Sequence, residues 1–255
     1  VTDFATPGER KNDPGTRVEL QGEERIVCLD AKTGQEIWKH SYPCSYRISY
    51  PSGPRATPTV QGGKVYALGA QGRLVCLDAR DGQPAWSHDL VQEYKTETPI
   101  WGFASHPLVD GDKLITLVGG QNSVVVAFHK DTGKELWRAL SASEQGYCPP
   151  SILEAGGKRQ LIIWHPKAIH GLDPETGKVF WTEKLEPQYG MSIQMPVRHG
   201  DYLFAGGIGN QALLLKLAKD KPAVEEVWRG TNATAVYPTC GAPFIDEQGV
   251  LYGAC

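Results

Sequence analysis

The chain has 255 residues, 40% of them hydrophobic and 22% charged, with 29 glycines and 18 prolines. A formal net charge of −3 without a block of like charge argues against nucleic-acid binding driven by counterion release, and no apolar run is long enough to span a bilayer. The glycine and proline load favours many short strands and tight turns over helices, and the six cysteines show no metal-ligand spacing such as Cys-x-x-Cys.

In chain order, residues 1–4 read as the end of a strand and 6–24 as a long polar loop, either a solvated insertion or a binding loop. Residues 25–30 begin the first repeat, and Ile26 to Leu29 are apolar on both alternating faces, as in a strand covered on each side. Asp30 to Gly34 form a turn, since Asp bonds backbone N–H groups two residues on and Gly takes positive φ without strain. Residues 35–40 are the outgoing strand. The second repeat predicts strands at 56–61, 64–70, 73–78 and 83–90, joined by Gly62-Gly63, Gln71-Gly72 and Ala79 to Gly82. The unit is a four-stranded antiparallel meander. It returns at 106–140, 149–185 and 195–230, where the third turn is longer and lacks Thr-Gly, and its first two strands return again at 240–255. The chain opens without an initiator Met and closes in mid-repeat, so it reads as part of a longer protein whose export signal lies upstream. Cys28 and Cys76, at equivalent places in neighbouring repeats, read as small buried hydrophobes, whereas Cys44, Cys148 and Cys240 fall in connections.

Trp38, Trp86, Trp137, Trp181 and Trp228 stand 48, 51, 44 and 47 residues apart. A four-stranded unit of that period is the blade of an all-β propeller. The blades fall at about 1–41 (partial), 56–90, 105–140, 149–185, 195–229 and 240–255 (partial). Each tryptophan is expected to fill the seam between blades. It buries on the order of 200 Å², several kcal/mol at about 25 cal/mol per Å².

The pattern Leu29, Asp30, Thr33, Gly34, Trp38 resembles the tryptophan-docking motif of the PQQ-like, quinoprotein-type β-propeller family. The second copy has Asp81 in place of Thr, the third has Phe128 and His129 for Leu and Asp, and the fourth matches in full. The resemblance implies six to eight blades, so the chain is expected to be a fragment of the wheel; a closed five-blade ring would leave residues 1–4 as a spare strand. Family enzymes hold PQQ with Ca²⁺ on the axis, bound by carboxylate and amide oxygens. Here no adjacent cysteine pair is present, and the acids of the connections, Glu93, Glu97, Glu144 and Glu186, match no calcium motif. The resemblance is therefore stronger to the family's non-enzymatic members, such as the lipoprotein propeller of the outer-membrane barrel-assembly machine, an interaction platform.

Ligands of propellers sit at the mouth of the central channel, lined by the connections from each outer strand to the next inner one. Each connection carries a tyrosine eight to twelve residues past its tryptophan: Tyr46 and Tyr50, Tyr94, Tyr147, Tyr189, Tyr237. The candidate site is Tyr50, Arg55, Tyr94, Trp101, His106, Tyr147, Cys148, Tyr189, Gln194, Tyr237 and Cys240. The tyrosines are either packing residues beneath long loops or a funnel for a peptide, sugar or aromatic cofactor. His40 and His88 are expected to face solvent, and His165 and His170 to flank a turn. The function expected is a non-catalytic, exported scaffold that binds a protein or small molecule at the funnel and needs no cofactor. The alternatives are part of a PQQ- and calcium-dependent alcohol or sugar dehydrogenase, and a sensor module of a larger protein such as a membrane kinase.

Overall fold

The first four repeats are each organised by their third turn. Asp30 Oδ1 accepts the N–H groups of Lys32 and Thr33 and the Thr33 hydroxyl at 3.0, 2.8 and 2.9 Å, and Gly34, at φ 71°, returns its N–H to the Asp30 carbonyl. Asp78 and Asp173 accept in the same way from the N–H groups of Arg80 and Glu175. In the third repeat His129 takes over this role, its Nδ1 accepting the Asp131 N–H at 3.3 Å. Asp81, standing for threonine, accepts from the Gln83 N–H as the Thr33 hydroxyl accepts from that of Gln35.

The computed structural model describes residues 1–10, 13–209, 211–230 and 244–252. Its strands are β1 (Thr2–Ala5), β2 (Leu20–Leu29), β3 (Glu36–Tyr46), β4 (Thr59–Gln61), β5 (Lys64–Leu68), β6 (Arg73–Asp78), β7 (Pro84–Asp89), β8 (Leu108–Asp110), β9 (Lys113–Leu117), β10 (Val125–His129) and β11 (Glu135–Ala139). They continue with β12 (Ser151–Ala155), β13 (Lys158–His165), β14 (Ala168–Leu172), β15 (Val179–Lys184), β16 (Val197–His199), β17 (Tyr202–Gly207), β18 (Gln211–Leu217), β19 (Val224–Arg229), β20 (Phe244–Ile245) and β21 (Leu251–Tyr252). Among the described residues these pair as one three-stranded, four four-stranded and one two-stranded antiparallel sheet, each in sequence order. The architecture is that of a β-propeller. Alternate residues of the middle strands face opposite seams: Leu114 packs with Tyr66 and Leu74 of the second sheet, while its neighbour Ile115 packs with Leu161 and Ile163 of the fourth.

Every outer strand carries a β-bulge in the same place. Trp38 lies opposite Cys28 and Glu36 opposite Leu29, so Ile37 is the extra residue. Ala85, Leu136, Phe180 and Val227 are its counterparts. A bulge re-aims the side chain that follows it, and here that side chain is the tryptophan. The indole N–H groups of Trp38, Trp86 and Trp137 donate to the carbonyls of Ala79, Lys130 and Pro174, in the turn of the next sheet, at 2.9, 2.9 and 3.2 Å. Their rings lie over Gly82, Gly133 and Gly177 of those turns, where a Cβ would sit 2.5, 2.8 and 2.6 Å from the ring. Trp181 differs. The fifth sheet has no Thr-Gly turn to receive it, and its N–H donates instead to Gln160 Oε1 of its own sheet at 2.6 Å. Trp228 is 36% exposed and lines a cavity with His199, Phe204 and Ile245.

The first sheet departs from expectation. Residues 20–24, read from sequence as loop, belong to β2, and β3 runs to Tyr46 rather than ending at His40. The reason is a buried carboxyl. Glu24, 2% exposed, accepts the hydroxyls of Tyr42 and Tyr46 at 2.8 and 2.7 Å and the Ala70 N–H at 3.3 Å. These contacts hold both strands extended against the second sheet. Burial raises the Glu24 carboxyl, against the lowering effect of those donors, and pushes Cys44, which lies in β3 and not in a connection, up to about 12. Cys76 is buried, but Cys28 is only half-buried.

A carboxyl raised on folding contributes stability that is full below its unfolded pKa, near 4.5, and lost as pH rises through the folded value. Glu24→Gln, a neutral isostere, is thus expected to raise the urea midpoint at pH 8 and leave it unchanged at pH 4. An equal shift at both pH values would refute this.

Candidate functional site

Four connections meet in one cavity of about 530 Å³ lined by Tyr50, Arg55, Trp101, Ala104, Tyr147, Tyr189, Met191, Ile193 and Ile208. Backbone bonds tie the connections to one another. The Ser49 N–H donates to Ile100 O at 2.7 Å, the Tyr147 N–H to Ser192 O at 2.9 Å, and the Gln188 N–H to Ile208 O, in the β17–β18 turn, at 2.8 Å. Trp101 and Tyr147 meet edge to face at 5.7 Å between ring centroids, which joins the second connection to the third.

Two of the wall residues sit in a costly state. Tyr50 and Tyr189 have φ of 65° and 58°, the left-handed region that disfavours side chains. They are also 43% and 71% exposed, so neither is held there by burial of its ring. Strained backbone of this kind clusters at functional sites. Tyr147 is buried, with its hydroxyl beside the Trp101 backbone N–H; burial and then Glu144 raise its phenol above the ordinary value. Arg55 Nη2 donates to the carbonyls of Ser49 and Pro51 at 2.8 and 3.4 Å, while its Nε is buried without a protein partner among the described residues. Burial lowers its pKa. Gln145, two residues before Tyr147, and Ser192, between Met191 and Ile193, are buried with amide and hydroxyl atoms that also meet no protein partner among the described residues.

Of the residues singled out from sequence, Tyr50, Arg55, Trp101, Tyr147 and Tyr189 line this cavity. The others do not. Tyr46 is in β3 and bonded to Glu24. Tyr94 closes a single helical turn, α1 (Leu90–Tyr94), capped by the Asp89 side chain, which accepts the Gln92 N–H at 3.1 Å. This turn carries Tyr94 onto Phe128, and its hydroxyl donates to Glu135 at 2.6 Å. His106 is half-buried beside β8, outside the lining. Cys148 is buried in the seam of the fourth and fifth sheets, its thiol donating to Gln194 O at 3.3 Å and raised by burial to about 12. Gln194 is buried with it. Tyr237 and Cys240 lie outside the described residues. Met191, Ile193, Ile208 and Ala104 were not foreseen; the apolar run Met191-Ser192-Ile193 beside Tyr189 was the available signal.

One histidine expectation is corrected and one holds. His88 does not face solvent: it joins Glu93 at 2.7 Å to the Gly133 carbonyl of the next sheet at 2.7 Å and stacks on Phe128 at 4.6 Å. His165 and His170 do flank the turn between β13 and β14, as a buried pair with Nε2 atoms 2.9 Å apart. The Lys167 N–H donates to His165 Nδ1 at 3.2 Å, which places the proton on its Nε2. His165 then donates to His170, and His170 Nδ1 donates to the Thr182 hydroxyl at 2.9 Å. Burial pushes both imidazoles well below 6.5.

A quinone held with Ca²⁺ needs carboxylate and amide oxygens converging on the cation. Among the described residues the lining offers one guanidinium and no carboxylate, and no group of three or more His, Cys, Asp or Glu side chains could hold a metal ion. The residues present do not fit that group.

The profile of the family described as outer membrane protein assembly factor BamB matches residues 22–228. No curated protein matches the sequence. Among solved structures, BamB from Moraxella catarrhalis is similar at a TM-score of 0.58 and 18% identity, over 89% of this chain and 65% of that one. A europium-containing methanol dehydrogenase is similar at 0.54 and 12%, over 88% and 52%. The quinohemoprotein alcohol dehydrogenase ADHIIG from Pseudomonas putida HK5 is similar at 0.54 and 18%, over 88% and 43%. At these identities the likeness shows the fold alone, and the chain spans less than two thirds of each structure's length.

Proposed function

The chain belongs to the family of the outer membrane protein assembly factor BamB, and from this we propose that it is a non-catalytic platform that docks a protein partner on the face formed by its connections. The observation that carries the reading is the convergence of Tyr50, Arg55, Trp101, Tyr147 and Tyr189, from four separate connections, on one cavity. Tyrosine, tryptophan and arginine are the residue types that dominate binding energy at protein interfaces. Exposed rings held in a left-handed backbone give up stability that packing alone does not recover. The platform works in the cell envelope, in line with the outer-membrane assembly factor that names the family. Among the described residues no helix is long and apolar enough to cross a membrane.

Capture from envelope extracts by the tagged protein tests the proposal. A Trp101→Ala/Tyr189→Ala variant is expected to lose specific capture about tenfold or more, as for two interface anchors, while keeping its melting temperature within a few degrees. Capture equal to wild type would end the proposal. Addition of PQQ, Ca²⁺ and an alcohol is expected to give no dye reduction.

A further inference from the structure

We propose that the cavity at the connections recognises an extended acidic peptide segment that presents an aromatic or large aliphatic side chain next to a carboxylate. This rests on the reading of that face as a protein-docking surface and names the chemistry of its occupant. Three observations lead there. The first is the mixed wall: Tyr50, Trp101 and Tyr189 offer ring surface, and among the described residues of the lining Arg55 alone is charged. Its Nη2 is anchored by backbone carbonyls, so the fork is held in one orientation, and its buried Nε has no protein partner among the described residues. A pre-oriented guanidinium is suited to a carboxylate.

The second is the field around it. Arg17 is exposed on the loop whose Gly15 N–H donates to Ser49 Oγ at 2.8 Å, next to Tyr50 of the wall. Neither arginine takes part in an ion pair among the described residues. The chain as a whole is negative, at −3, so this positive corner stands against the overall sign and steers an anion towards it. The third is Glu144, whose Oε2 lies 3.7 Å from the point a Cβ on Gly190 would occupy, next to Tyr189 of the wall. A carboxylate is attracted by Arg55 and repelled by Glu144, so affinity depends on where along the segment its charge falls. A neutral sugar would use the rings but not this polarity.

Fluorescence anisotropy with labelled eight-residue peptides tests the proposal on the purified full chain. A peptide of alternating Glu and Phe is expected to bind about tenfold more tightly than one with Lys for Glu or one with Ala for Phe, and to weaken as salt screens the charges. Arg55→Gln is expected to lower affinity about tenfold and Arg17→Glu about threefold, and Glu144→Gln to raise it about twofold, as for charges that differ in distance and exposure. Because Arg55 also braces its loop, Arg17→Glu, an exposed substitution with an unchanged melting temperature, is the deciding variant. Equal binding of the Glu and Lys peptides, or an Arg17→Glu protein with wild-type affinity, would overturn the inference. If that happened while partner capture still depended on Trp101 and Tyr189, the docking reading would stand and only the acidic chemistry would fall. If the peptides behaved as expected but capture ignored those two residues, the docking reading would fall alone.

Discussion

Trp86→Ala is expected to destabilise the protein by about 3 kcal/mol, within the range for removing a large aromatic side chain. The same change at Trp228, 36% exposed, is expected to cost about 1 kcal/mol or less. The difference lies in what each indole reaches. Trp86 gives its N–H to Lys130 O and covers Gly133, both in the next sheet, and packs with Tyr66 and Phe128. Loss of the indole opens the seam and leaves a carbonyl without its donor. The receiving side can be tested independently. Gly133 has φ 72° and a Cβ there would lie 2.8 Å from the Trp86 ring, whereas Gly111, with φ 58°, has no atom within 4 Å of the same point. Both alanine substitutions incur the left-handed backbone cost of about 1–2 kcal/mol. Only Gly133→Ala should exceed it, by about 1 kcal/mol or more for the steric displacement. Urea midpoints of the four variants decide the matter. Equal losses at Gly111 and Gly133, or at Trp86 and Trp228, would show that the seam does not depend on these contacts.

The second large effect is an acid limb set by His165 and His170. Both are buried neutral, with folded pKa values below the ordinary 6.5. A group depressed on folding contributes stability that is full above its unfolded pKa and falls as pH drops towards the folded one. Over that window the unfolded chain binds up to two more protons, and stability falls by at most about 2.7 kcal/mol per pH unit. Lys167, which lowers His165 further, adds to the penalty. His165→Asn/His170→Asn keeps an acceptor for the Lys167 N–H and a partner for Thr182, yet cannot take up a proton. The variant should be less stable than wild type at pH 7.5 and lose much less between pH 6.5 and 5. Parallel pH profiles for the two proteins would exclude the pair as the cause. The carboxylates shared by both proteins cancel in this comparison.

The strands of the second repeat were legible because turn chemistry brackets them. Residues 73–78 were read as a strand between Gln71-Gly72 and the Asp78 turn, and β6 has those bounds. What escaped was set by contacts distant in sequence. The extension of β2 and β3 depends on Glu24 meeting Ala70, 46 residues away, and no local pattern marks a polar residue as buried. The bulges escaped for another reason: a single extra residue leaves composition and spacing unchanged. At the candidate site, similar offsets from the tryptophans, eight to twelve residues, suggested a ring of tyrosines. An offset counted along irregular chain does not fix a position, and the Asp89-capped turn takes Tyr94 elsewhere. Tyr50, Tyr147 and Tyr189 come together because Ser49 and Ile100, Tyr147 and Ser192, and Gln188 and Ile208 join their loops by backbone bonds.

The forward reach of the indoles has a consequence for synthesis on the ribosome. Trp38, Trp86 and Trp137 each need a carbonyl that lies 41, 44 and 37 residues downstream. At about 5–20 residues per second, each emerging unit must wait some seconds for its acceptor, with a large apolar ring in water meanwhile. Trp181, whose acceptor Gln160 is 21 residues upstream, is already provided for when it is made. Nascent chains arrested as Trp137 leaves the ribosome should therefore recruit holdase chaperones more strongly than chains arrested as Trp181 leaves it.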